Sequence, residues 1–115
     1  MKNISNIFKE LNDYDKKLVD TALEWAIKNC HLYSSGKSDE ARTRSETTLA
    51  KFKFEAKNYT FERHELLALN SAISYFHTEL ITYKIGSYDE ETIDKMHASL
   101  KELGRKLEDF VFDDY

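Results

Sequence analysis

Two apolar stripes organise the C-terminal half of the chain. Leu66, Leu69, Ile73, Phe76, Leu80 and Tyr83 form the first, and Ile93, Met96, Leu100, Leu103, Leu107 and Phe110 form the second. Each advances by alternating steps of three and four residues, a period near 3.5 that lines six side chains along one helical face. With Gly86 between them, the stripes predict an antiparallel αα-hairpin over 60–112. Facing residues should then have numbers that sum to about 173, setting Phe76 against Met96 or His97 and Leu69 against Leu103. Thr60 is the expected cap of a helix over Phe61–Ile85, and Gly86 its left-handed stop. Ser87 and Glu90 read as a capping box for the last helix, where Asp89 and Glu91 add charge suited to the helix dipole. Gly104 beside the second stripe suggests a close helix approach or a bend.

Upstream, Ile4, Ile7, Phe8 and Leu11 share the face of a short first helix that ends at Asn12-Asp13. A second helix over Tyr14–Tyr33 carries a broad apolar arc from Leu18 to Tyr33, wide enough to predict a central position. Residues 34–39 form the clearest loop, with Ser38 or Asp39 expected to cap the third helix. The pattern conflicts in that third segment. Phe52, Phe54 and Ala56 alternate with Lys51, Lys53, Glu55 and Lys57 as in a strand, whereas Leu49, Phe52, Ala56 and Tyr59 repeat the helical 3,4,3 step. A lone strand would have no partner, so a third helix over 38–59 is predicted, with Phe54 off its seam. The fold class is all-α: a small antiparallel bundle of four to five helices in one domain spanning 1–115.

Composition supports this picture. The 115 residues suit a single core, and 41% hydrophobic with 33% charged residues fits a globular chain. No proline and three glycines leave few helix breakers. Cys30 is the only cysteine, which removes an internal disulfide and suits a reducing cytoplasm. No apolar run approaches the roughly 20 residues of a membrane span, and the N-terminus opens an amphipathic pattern rather than an export signal.

Candidate chemistry is sparse. The chain has no glycine-rich phosphate loop, HExxH, Cys-x-x-Cys or calcium loop, so no enzyme, cofactor or metal is expected from motifs. His77 and His97 could face each other across the hairpin, with Asp94 one turn before His97, but a fourth ligand is missing and surface histidines flanking a seam are the simpler reading. Cys30 and His31 point about 100° apart on a helix and cannot act together on one face, so Cys30 reads as a small buried residue.

Charge is uneven. Residues 1–36 are neutral (five basic, five acidic), 37–63 carry +2 (seven, five), 64–85 carry −1 (one, two) and 86–115 carry −5 (four, nine). The acidic end makes Glu90, Glu91, Asp94, Glu102, Glu108, Asp109, Phe112, Asp113, Asp114 and Tyr115 the candidate partner-binding residues, suited to a basic protein surface or one that normally holds nucleic acid. The alternative is direct nucleic-acid binding through Lys37, Arg42, Arg44, Lys51, Lys53, Lys57 and Arg63, with Phe52, Phe54 or Tyr59 for stacking. Interspersed acids (Asp39, Glu40, Glu46, Glu55, Glu62) weigh against it. Tyr75, Tyr83, Tyr88, Phe54 and Phe112 leave a homodimer open.

In size, acidity, lack of proline, richness in Lys, Asn, Ile and Tyr, and the phrase from Tyr59 to Leu69 (YTFERHELLAL), the chain resembles small accessory proteins of phages and mobile elements of Gram-positive bacteria. That group includes anti-CRISPR proteins and other inhibitors of host defence. The resemblance implies a stoichiometric binder of a larger host protein in the bacterial cytoplasm.

Overall fold

Helices begin here where a side chain accepts a free amide or where a glycine allows the chain to turn. In the computed structural model, the backbone is described for residues 2–3, 5–82, 86 and 88–113, and side chains for 7–82, 86 and 88–108. The order is β1 (Lys2–Asn3), α1 (Ser5–Lys9), α2 (Asp13–Lys28), a 3-10 turn (Cys30–Leu32), α3 (Lys37–Glu55), β2 (Thr60–Phe61), α4 (Arg63–Thr82) and α5 (Glu90–Asp113). Among the described residues, the protein is an all-α bundle of five helices.

Asn12 starts α2, its Oδ1 accepting the Asp15 amide at 2.8 Å. This helix stops at Lys28, five residues short of the expected Tyr33. The Asn29 side chain donates to the Trp25 carbonyl at 2.8 Å, and the chain tightens into the 3-10 turn. Gly36 occupies the cap position of α3 at φ 149°, a conformation that favours glycine. Neither Ser38 nor Asp39 is the cap: both lie inside α3, and Asp39 reaches back to accept the Ser35 amide at 3.0 Å. At the other end, α3 closes in a Schellman motif, with Lys57 at φ 58° and the Asn58 amide bonded to the Lys53 carbonyl at 2.9 Å. No glycine or proline marks that stop, which is why the sequence pattern runs on to 59.

The start of α4 also differs from expectation. Thr60 lies in β2, paired antiparallel with β1 in the register Lys2 with Phe61 and Asn3 with Thr60. The strand-like alternation at 51–57 thus falls in α3 and its closing turn, and the short strand that does form, β2, takes the N-terminal residues as its partner. Glu62 precedes α4, and its amide is satisfied by Glu65 Oε1 at 2.8 Å, one half of a capping box. At α5 the cap is Asp89, whose Oδ1 accepts the Thr92 amide at 2.8 Å; Ser87 lies outside the described residues. Gly86 takes φ 81°, a left-handed conformation that favours glycine.

Both stripes of the hairpin enter the core as read. Leu66, Leu69, Ile73, Phe76 and Leu80 are buried on α4, as are Met96, Leu100, Leu103 and Leu107 on α5, with Ile93 packed at the margin. Tyr83 and the Phe110 side chain lie outside the described residues. The central helix is α4, which packs on α2, α3 and α5, whereas α2 meets α5 only lightly. On α3 the buried residues are Thr47, Ala50 and Phe54; Leu49, Phe52 and Ala56 face solvent, Phe52 being 60% exposed. Three members of the expected seam thus lie on the outside, and only Tyr59, in the loop after α3, is buried. Gly104 marks no close approach either, since an added Cβ would meet nothing within 4 Å. Beneath α1, Phe8 is fully buried, its ring 5.1 Å from both Phe54 and Tyr59 and 6.3 Å from Phe61.

Candidate functional site

Helix α5 presents its carboxylates in two groups. Glu90, Glu91 and Asp94 are exposed on its first turns, where they also complement the positive end of the helix dipole. Glu108 is exposed near the other end. Between them the surface is mixed: Glu102 is held by Arg105 at 2.6 Å, with Lys101 exposed and Lys106 half-buried nearby. The candidate partner-binding carboxylates are therefore interrupted by a paired, mixed-charge stretch. Among the described residues, Glu90, Glu91, Asp94 and Glu108 have no ion-pair partner. Lys95, which follows Asp94 in the chain, has its ammonium 4.2 Å from the centre of the Tyr14 ring. The side chains of Asp109, Phe112 and Asp113, and residues Asp114 and Tyr115 entirely, lie outside the described residues.

The basic segment is arranged in the opposite way. Arg42 pairs with Asp39 and Glu46, and Arg44 binds Glu40 and the Ile27 carbonyl, each at 3.1 Å. Lys51 lies between Asp20, at 3.5 Å, and Glu55. Lys53 reaches Glu65 at 2.7 Å and the Thr60 carbonyl at 3.1 Å. Four of the cations expected to meet phosphates are thus neutralised within the fold. Phe54 and Tyr59 are buried and so unable to stack on a base, which leaves Phe52.

Glu65 carries no obvious mark in the sequence. It is 3% exposed and receives both the Lys53 ammonium and the Glu62 amide. Burial opposes its charge, yet these two hydrogen bonds outweigh that effect and hold its carboxyl below the usual range. Its only signal in the sequence is its place three residues after Glu62.

His77 and His97 do meet across the hairpin. His77 Nε2 and His97 Nδ1 are 2.6 Å apart, and the numbers sum to 174, one away from the register the stripes imply. Burial, then the nearness of His97, lowers the His77 pKa. His77 also lines an open groove of about 430 Å³ between α4 and α5, with Asn70, Ser74, Lys101 and Gly104. Asp94 does not join the pair: among the described residues, no group of three or more His, Cys, Asp or Glu could hold a metal ion.

Cys30 is fully buried, with its thiol 3.0 Å from the Ala26 carbonyl, while His31 is exposed, so the two do diverge. Tyr33 beside the thiol stacks on Tyr75 with ring centres 4.3 Å apart, which commits the inner face of Tyr75 to the fold. Among the described residues, no helix is long and apolar enough to cross a membrane. No protein-family model matches the chain, and no curated protein or solved structure is similar enough to count as a match.

Proposed function

We propose that the chain is a non-enzymatic protein-binding module, a stoichiometric inhibitor or regulator of a larger host protein, that meets a basic surface through the exposed carboxylates of α5. The asymmetry of charge use carries this reading. Four of the seven cations of the basic segment, Arg42, Arg44, Lys51 and Lys53, are spent on intramolecular pairs, whereas Glu90, Glu91, Asp94 and Glu108 have no such partner among the described residues. Exposed charges of one sign steer an oppositely charged partner and set its orientation more than they set raw affinity. The resemblance to phage accessory proteins supports the same class of activity, in a bacterial cytoplasm, with a target whose basic surface normally holds nucleic acid. Direct nucleic-acid binding is the weaker reading, because Arg42, Arg44, Lys51 and Lys53 would have to leave carboxylates to reach phosphates.

The test is capture from a Gram-positive host lysate by the tagged protein and by a Glu90→Gln/Glu91→Gln/Asp94→Asn variant whose fold is checked by circular dichroism. The wild type should retain a basic protein in stoichiometric amount, with retention falling as salt rises, and the variant should lose most of it. Equal retention by both would remove α5 as the binding face. Nuclease-sensitive nucleic acid without protein would favour the basic segment instead.

A further inference from the structure

The His77–His97 contact has a use that neither core packing nor the acidic face absorbs. Two imidazoles from different helices meet nitrogen to nitrogen at 2.6 Å, with ring centres 4.9 Å apart and planes at 43°. That centre-to-centre distance means the rings meet end-on. When both are neutral, one N–H lies between them and one nitrogen donates to the other. Moving that proton to the far nitrogen of its own ring would leave two lone pairs facing each other along the line between the nitrogens, on backbones already positioned by the hairpin.

We propose that His77 and His97 form a two-imidazole site for copper(II), which bridges α4 to α5. Two nitrogens bound cis to a square-planar ion, each about 2.0 Å from it, stand about 2.8 Å apart, close to the spacing already present. Tetrahedral zinc would need about 3.3 Å, so geometry adds to the intrinsic order of affinities in favouring copper. Chelation requires each ring to swing so that its lone pair leaves the axis joining the two nitrogens. The terminal torsion of histidine has a broad energy well that permits this. The groove beside His77 gives space for the ion and for waters to complete its coordination; Glu102 and Glu108 line the same groove, but among the described residues they do not join the two histidines in a group that could hold a metal ion. Competing soft ligands are few: the Cys30 thiol is buried, and His31 and His64 are single exposed imidazoles.

The experiment is titration of the full-length protein with copper(II) chloride at pH 7.5, followed by electron paramagnetic resonance and thermal denaturation. One equivalent should bind with hyperfine splitting from two imidazole nitrogens and raise the melting midpoint, because the ion binds only the folded pairing. His77→Gln and His97→Gln should each lose the two-nitrogen signal, the rise in midpoint and about tenfold or more in affinity, as large as the effect of disturbing a ligand's support. His31→Gln and His64→Gln should behave as wild type. A two-nitrogen spectrum that survives in either His77→Gln or His97→Gln, or a wild-type midpoint that copper leaves unmoved, would overturn the assignment.

Discussion

Glu65 and His77 are both drawn towards the interior, and each makes stability depend on pH in its own window. Glu65 has a folded pKa below its unfolded value near 4.5, so its contribution is present above that pH and is lost as pH falls through the folded value. His77 has a folded pKa below 6.5. Below pH 6.5 the unfolded chain takes up a proton that the folded one resists, so stability declines from there downward. Chemical denaturation measured from pH 8 to pH 3 should therefore show two descending steps, one below about 6.5 and one below about 4.5. His77→Gln should remove the upper step and leave the lower. A profile that keeps its upper step in that variant would show that another group produces it. The histidine contact was legible in the sequence because the two stripes set the register to within one residue. The Lys53–Glu65 pair was not, because 12 positions of chain separate the residues and only the packing of α3 on α4 joins them.

At the scale of elements, α3 is where pattern and packing part. Its outward stripe, Leu49, Phe52 and Ala56, is more apolar by letter than the inward one, Thr47, Ala50 and Phe54. The inward stripe works because the Thr47 hydroxyl donates to the Thr43 carbonyl at 2.7 Å, which satisfies it inside its own helix and allows full burial. Phe54, not Phe52, then joins the aromatic cluster under α1. Phe54→Ala should cost about 3–5 kcal/mol in urea denaturation, the usual range for emptying a buried phenylalanine site. Phe52→Ala should stay within about 0.5 kcal/mol of wild type, as surface changes do. The reverse ranking would restore the stripe expected from the sequence. Capping followed the same division. Asn12 and Gly86 were readable from residue type, whereas Lys57 in a left-handed conformation and Asp89 in place of Ser87 were decided by local geometry that other residues can also adopt.

Across the whole molecule, the N-terminus closes the structure by returning to its middle. β1 pairs with β2 across nearly 60 residues of chain, and α1 then places Phe8 over Phe54, Tyr59 and Phe61. Because this ring touches α3, the loop after it and β2 together, Phe8→Ala should lower global stability by about 3–5 kcal/mol while unfolding remains a single transition. An early separate transition in thermal denaturation would instead mark α1 as a detachable arm. The fold class, the C-terminal hairpin with its register, and the burial of Cys30 were all readable from the order of residues, because they rest on short-range periodicity and residue size. Which face of α3 is buried, which helix is central, where the N-terminus pairs and which charges remain free emerge only once the helices pack. Each of those depends on contacts between residues distant in the chain, where a buried threonine or a paired lysine looks the same in sequence as an exposed one.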